Sequence, residues 1–419
     1  MDTAVSQKRI ITCQGTIQLI TALSVMTYRA KEEDSPINAF ENYLVIYDLY
    51  APAEQINDFV SLIKQIATSL GNWKSIVYIA PEQLAAIADQ LHHTSESNTF
   101  KFVYDLVGID EAAEIYLCRN WQFSNQLLIN AYKTAKKICY GDSIGIYFSA
   151  TSSAFFAAQP SQSFSFREKV IHALVTAPKQ RLRNYRDRIQ ARLGLKTILK
   201  TVGFDQGYFA LPDVMGEMPP MAYKKIDAGY ILETIASLTG LVNANYVTQL
   251  HHVIDDAPVA VLLTSNFSEA GRMSYDNELK AYFQFLSADD LLSNTVLVIK
   301  PHPRDDLKKI QKLQDNLSVI FSKVVILSEP ELFFLPFEIF FLRAFLCFSP
   351  PSPANAQPVQ VFAVSSACLG LKLLFDVPST VGFGTKISSS AFYKGYVESR
   401  LTHERDLKAV VQSITAARV

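Results

Sequence analysis

Short apolar runs recur along both halves of this chain, each ending on a polar or small residue and each followed by a helical stretch. This alternation restricts the fold more than any other feature. A short run of apolar, often β-branched residues bounded by turn formers reads as a buried strand. Strands that alternate with helices need a parallel sheet with helices on both faces. In the first half, strands are expected at Arg9–Cys13, Tyr43–Tyr47, Ile76–Ala80, Ile115–Leu117 and Lys137–Tyr140. Helices are expected at Thr16–Tyr28, Ile56–Leu70 and Ser124–Ala135. In the second half, the strands are Val259–Leu263, Val296–Ile299, Val324–Leu327 and Phe362–Val364. Helices there cover Glu278–Leu286, begin at Asp305 and near Ala367, and close the chain over Glu404–Ala417. Two doubly wound α/β domains facing each other across a central cleft satisfy the pattern.

Residues 150–225 interrupt the rhythm. Between Lys179 and Lys200 there are eight Lys/Arg and one acid, Asp187. The expected division is therefore an N-terminal domain over 1–250 carrying a basic insertion at 150–225, a second domain over 251–400, and a terminal helix over 401–419. The basic run 179–200 suits peripheral contact with an anionic membrane surface, and equally a solvated helix face. The chain as a whole has 39 basic and 40 acidic residues, a net charge of −1, which argues against a dedicated nucleic-acid binder. Five cysteines (Cys13, Cys118, Cys139, Cys347 and Cys368) stand at wide spacings without a CxxC, as reduced intracellular thiols do. No signal-like segment follows the start. The most apolar stretch, Leu332–Phe348, is too short and too charged to span a bilayer. A cytoplasmic protein is expected, with the basic run as its contact to the inner membrane face.

Three strand ends carry chemistry. Residues 296–306 read Val-Leu-Val-Ile-Lys-Pro-His-Pro-Arg-Asp-Asp. Prolines on both sides stiffen the backbone around His302, and an imidazole so held can exchange a proton or bind an anion. Lys300 and Arg304 flank it with positive charge or form surface ion pairs. Gly141-Asp142-Ser143 follows the fifth strand: a carboxylate between small residues approaches a substrate hydroxyl closely, and Asp and Gly also form plain turns. Ser365-Ser366 stands at a helix start, where hydroxyls and free N–H groups bind anions or simply cap the helix. Asn266, in Thr264-Ser265-Asn266, follows a strand and can reach the same cleft. An acid on one side, with a histidine and a hydroxyl pair on the other, suits transfer of a sugar away from a phosphate: Asp142 takes the acceptor's proton, and the other groups neutralise the departing charge. His92-His93 and His251-His252 lack metal-ligand spacing.

At these residues the chain resembles bacterial sialyltransferases, nearest to the capsule polysialyltransferases and the lipooligosaccharide sialyltransferases. The family's marks are an acidic-acidic-Gly tripeptide, a His-Pro pair and a late Ser/Thr motif. They correspond here to Gly141-Asp142-Ser143, His302-Pro303 and Ser365-Ser366. Cys13-Gln14-Gly15-Thr16 is similar to the family's first strand–loop–helix, and Pro336-Phe337-Glu338 to the stretch before the last motif. The resemblance implies a GT-B fold of two Rossmann-like domains, a CMP-sialic acid donor, a glycan acceptor and inversion at the anomeric carbon. It implies Asp142 as base and His302 as acid or phosphate ligand. Ser365, Ser366 and Pro303 would lie at the CMP phosphate, with Lys300 and Asn266 nearby and Glu338 at the ribose. Gln14, Gly15, Gly141 and Ser143 would line the acceptor side. The tripeptide departs from the family's pattern in having one carboxylate. The chain also has no Asp-x-Asp, so a metal-independent reaction without a cofactor is expected. Three alternatives stand beside this one: the same fold with CMP-Kdo, the same fold with a UDP-sugar, and a catalytically degenerate glycan-binding module.

Overall fold

A computed structural model of the chain describes residues 7–33, 35–49, 51–91, 98–147, 197–212, 220–255, 257–287, 294–347 and 359–416, with single positions at 185, 189, 190 and 193. The first half forms β1 (Gln7–Cys13), α1 (Thr16–Glu32), β2 (Phe40–Ile46), α2 (Ile56–Leu70), β3 (Ser75–Tyr78), α3 (Pro81–Leu91), α4 (Asn98–Val107), β4 (Glu114–Leu117), α5 (Phe123–Ala131) and β5 (Lys136–Cys139). There follow β6 (Gln206–Phe209), β7 (Ala222–Lys225), α6 (Ala228–Ser237) and α7 (Ala244–Ile254). The second half is β8 (Val259–Leu263), α8 (Tyr275–Leu286), β9 (Val296–Lys300), α9 (Leu307–Leu317), β10 (Lys323–Ile326), α10 (Pro330–Phe333), α11 (Phe337–Phe341), β11 (Gln360–Ala363), α12 (Ala367–Phe375), β12 (Ser379–Val381), α13 (Gly384–Ala391) and α14 (Lys394–Ala416).

The strands make two parallel sheets. One has seven strands in the order β3-β2-β1-β4-β5-β6-β7, the other five in the order β10-β9-β8-β11-β12. The expected two-domain α/β plan of GT-B type is therefore present. Each strand alternates its side chains between two apolar layers. Ile10, Tyr43 and Ile115 face the core with α3, α4 and α5, while Ile11, Leu44 and Tyr116 face the opposite way. That second layer does not stop at the first sheet. It runs on through α6 and α7 to Val261, Val298 and Val361 of the second sheet, so one core joins the halves. The far face of the second sheet packs on α8 and α9 through residues such as Leu262, Ile299 and Tyr282.

Three expected boundaries are corrected. The first sheet resumes at Gln206, so 206–225 belongs to it rather than to an insertion. Every residue of β7 is exposed, which leaves no apolar signal in its sequence. Residue 250 falls inside α7, and the break between sheets comes after Asp255, whose left-handed backbone ends that helix. The terminal helix begins at Lys394, not at 401 or Glu404. Most of the basic run 179–200 and the pair His92-His93 lie outside the described residues. Among the described residues no helix is long and apolar enough to cross a membrane, and all five cysteines are free thiols.

Candidate active site

In a doubly wound sheet, ligands collect beyond the carboxyl ends of the strands, where the strand order reverses. The first sheet reverses between β1 and β4, the second between β8 and β11. The motif residues lie at these places. Gln14 and Gly15 leave β1, Arg119 leaves β4, and Asp142 follows β5; Asn266 leaves β8, His302 leaves β9, and Ser365-Ser366 leave β11. The two edges meet at Phe334, directly after α10. Its carbonyl accepts from the Thr16 hydroxyl at 3.0 Å, and its ring stacks on Phe59 of α2 with centroids 4.6 Å apart.

On the first edge, residues 141–146 form a tight loop. The Asp142 and Ile146 backbones exchange two hydrogen bonds, 2.6 and 3.0 Å, and Gly145 O receives the Ala210 N–H at 3.0 Å from beyond β6. Gly141 has φ +79, and a Cβ there would come within 2.8 Å of the Ile146 carbonyl. The backbone therefore requires glycine where the family pattern has an acid. Asp142 is left as the loop's carboxylate, about one-fifth exposed at its side chain. Its Oδ1 accepts from Gln18 Nε2 at 2.6 Å and from the Ser143 N–H at 2.9 Å. Its Oδ2 pairs with Arg119 Nη2 at 2.6 Å. Arg119 also reaches Gln14 Oε1 at 3.3 Å, and Gln14 Nε2 donates to Asp48 and Gln122. Burial works against the charge on Arg119, but the Asp142 carboxylate together with Cys118 and Tyr140 more than offsets it and holds that guanidinium protonated.

On the second edge, Asp305 builds the histidine loop. Its Oδ2 accepts from the His302 N–H at 2.8 Å and from the Thr264 hydroxyl. Its Oδ1 pairs with Lys309 Nζ at 2.8 Å. The Arg304 N–H donates to His302 Nδ1 at 3.1 Å. A backbone N–H can only donate, so Nδ1 is the acceptor and the neutral ring carries its proton on Nε2. Burial, followed by the positive charges of Arg304, Lys300, Lys309 and Arg272, pushes His302 down to about 3. The ring is thus a neutral N–H donor inside a field of cations, which suits an anion. Ser366 sits at the N-cap of α12 without a side-chain cap bond, so ordinary capping does not account for its hydroxyl.

Lys300 behaves differently from a cleft cation. It is buried, and its Nζ donates to Phe333 O at 2.5 Å and to Pro301 O at 3.1 Å. Burial pushes it down to about 7. Glu338, also buried, is pushed up to about 7, with Lys300 drawing it back. The Glu338 carboxylate lies against the α12 backbone; a Cβ at Gly370 would sit 2.0 Å from its Oε1. It is therefore one helical turn from Ser366. Asn266 is buried, and its carbonyl accepts from Ala270 N–H. Glu269, Glu278 and Asp305 lie close enough to hold a cation, but Lys309 Nζ is within 3.0 Å of an oxygen of each and already supplies the charge. His251 is part of the fold, its Nε2 2.7 Å from Ala344 O. A groove of about 1250 Å³ between α13 and α14 contains none of the motif residues.

Sequence reasoning missed Arg119, Gln18, Gln122 and Asp48. Gln18 stands four residues after Gln14 at the start of α1, and Arg119 comes two residues after the end of β4, but nothing local links either to Asp142.

A family model described as alpha-2,8-polysialyltransferase matches residues 9–344. A search of curated proteins by sequence finds no match. Among solved structures, UDP-GlcNAc 2-epimerase from Neisseria meningitidis bound to UDP-GlcNAc is similar at 11% identity and TM-score 0.45, over 95% of this chain and 94% of that one. The S. aureus MnaA–UDP structure is similar at 14% identity and TM-score 0.42, over 90% and 79%. A spinosyn rhamnosyltransferase is similar at 10% identity and TM-score 0.40, over 98% and 96%.

Proposed function

This chain belongs to the alpha-2,8-polysialyltransferase family and is a glycosyltransferase, and we propose that it moves a sialic acid, or a related nonulosonate, from a CMP donor to a glycan hydroxyl. Asp142 Oδ2 takes the hydroxyl proton. The oxygen's electron pair forms the new bond at the anomeric carbon, and the bond to phosphate breaks on the opposite face, which inverts the centre. His302 Nε2–H, the two serine hydroxyls and the N–H groups opening α12 stabilise the phosphate as it leaves. Phosphate has a second pKa near about 6, so it departs without first being protonated. His302 therefore acts as phosphate ligand rather than as acid. Pro303 stiffens the loop, Lys300 holds it against Phe333, Asn266 lines its floor, and Glu338 stands beside the ribose. On the acceptor side, Gln14 and Gly15 shape the wall, and Gly141 and Ser143 set the turn that presents Asp142.

One observation carries this reading: a neutral, backbone-oriented histidine in a field of cations stands on the second sheet's carboxyl edge, and a carboxylate stands on that of the first, the two edges being joined at Phe334. The reading assigns no metal to the reaction; it is in keeping with this that Lys309 pairs with the carboxylate group beside the histidine loop. The enzyme works in the cytoplasm on surface polysaccharide, with 179–200 as its contact to the inner membrane face. CMP release from CMP-sialic acid, with and without EDTA, tests the assignment. His302→Ala should lower turnover about 10²- to 10³-fold, and Asp142→Asn about 10²- to 10⁴-fold. Variants that match the wild type sink the residue roles. Turnover of CMP-Kdo or a UDP-sugar alone reassigns the donor, and binding without any turnover leaves a glycan-binding module.

A further inference from the structure

The base just assigned is not free. Of the four lone-pair positions on the Asp142 carboxylate, Gln18 and the Ser143 N–H take both on Oδ1, and Arg119 takes one on Oδ2. One position on Oδ2 is left for an incoming hydroxyl until something competes for these partners. Of those partners, Arg119 is the one able to change hands. Its Nη2 is already shared between Asp142 and Gln14. Its Nε–H is buried without a hydrogen-bond partner, although a guanidinium is built to give two parallel N–H bonds to one carboxylate. A buried donor left unbonded at the carboxyl edge of a sheet, at its reversal point, marks a position that a ligand completes.

Resting on the transferase reading above, we propose that Arg119 reads a carboxylate on the acceptor sugar, and that this exchange of partners releases Asp142 Oδ2 to accept the acceptor's hydroxyl proton. Binding and activation become one event. An acceptor without a carboxylate leaves the Arg119–Asp142 pair closed, so its hydroxyl must share Oδ2 with the guanidinium. The charge balances throughout: the incoming carboxylate replaces the outgoing one on Arg119. The O–H proton then moves to Asp142, and the electron pair of the broken glycosyl–phosphate bond leaves with the phosphate.

Two glycan acceptors separate the readings, one ending in a sugar acid and one whose carboxyl has been reduced to a primary alcohol. For the wild type, kcat/KM should favour the acid about tenfold to a hundredfold, the range of a charge-assisted pair. In Arg119→Gln that ratio should collapse to about one, with most of the change in KM for the acid; Arg119→Lys should keep part of it. If Arg119 only positions Asp142, both acceptors lose equally, the ratio stays, and the proposal falls. A wild type that does not distinguish the acceptors also overturns it. Calorimetric binding of the two glycans to wild type and Arg119→Gln needs no turnover. Equal affinities there refute the proposal even in a chain that transfers nothing, whereas failure of CMP release refutes only the transferase reading.

Discussion

Restoring an acid at position 141 is the obvious repair to the family's tripeptide, and the structure says it will fail. Two costs add there. A side chain at φ +79 occupies left-handed backbone, at about 1–2 kcal/mol. Its Cβ also approaches the Ile146 carbonyl to 2.8 Å, and that carbonyl is the partner of the Asp142 N–H at 2.6 Å. Relieving the clash means opening this bond, which adds about 1–3 kcal/mol for a buried group left unpaired. Gly141→Ala should thus cost about 2–5 kcal/mol, and Gly141→Glu no less. Gly108 provides the control: its φ is +69, yet nothing lies within 4 Å of a Cβ built there. Gly108→Ala isolates the conformational cost, so the difference between the two alanine variants is the clash alone. Denaturant midpoints of both, with CMP release alongside, make the comparison. The reasoning is refuted if Gly141→Ala costs no more than Gly108→Ala, or if Gly141→Glu is as stable as the wild type and more active.

Two further outcomes follow. Lys309→Met leaves Glu278 and Asp305 buried without their cation, which should destabilise the fold by about 3–5 kcal/mol; an unchanged unfolding midpoint would show that these acids are neutral in the native state. His302, pushed down to about 3, should show no protonation between pH 5 and 8 when its ring carbon is followed by NMR. The sign for stability is fixed by the same shift: an unfolded histidine binds its proton near about 6.5, so this group weakens the fold as pH falls from there towards 3 and has no effect above. A ring titrating near pH 6.5 in the free protein would contradict the cationic field around it.

Strands buried on both faces were legible because they are continuous apolar runs, and α2 lies where its amphipathic spacing puts it, Ile56–Leu70. The sheet's far edge was not. β6 is four residues including a glycine, and β7 is Ala-Tyr-Lys-Lys, exposed throughout; their strand character comes from the neighbour they pair with. α3 and α4 were missed although both have an apolar face. At the site, His302 announced itself through its prolines, and the serine pair through the helix behind it. Arg119 and Gln18 could not, since Gln18 lies 124 positions from Asp142 and meets it only when β1 and β5 enter one sheet.

Phe333 and Phe334 offer adjacent carbonyls to opposite halves of the molecule: one to Lys300, two residues before the histidine, the other to Thr16, two residues after Gln14. A single peptide step, about 3.8 Å between Cα atoms, is therefore the gauge that sets how far apart the two sheet edges stand at this corner. For a reaction whose partners must meet in a fixed geometry, an error of about 1 Å in such a gap can cost about 10²-fold in rate. The ring of Phe334, stacked on Phe59, keeps the gauge from turning, so the spacing of the two edges at this corner rests on covalent geometry instead of on flexible side chains.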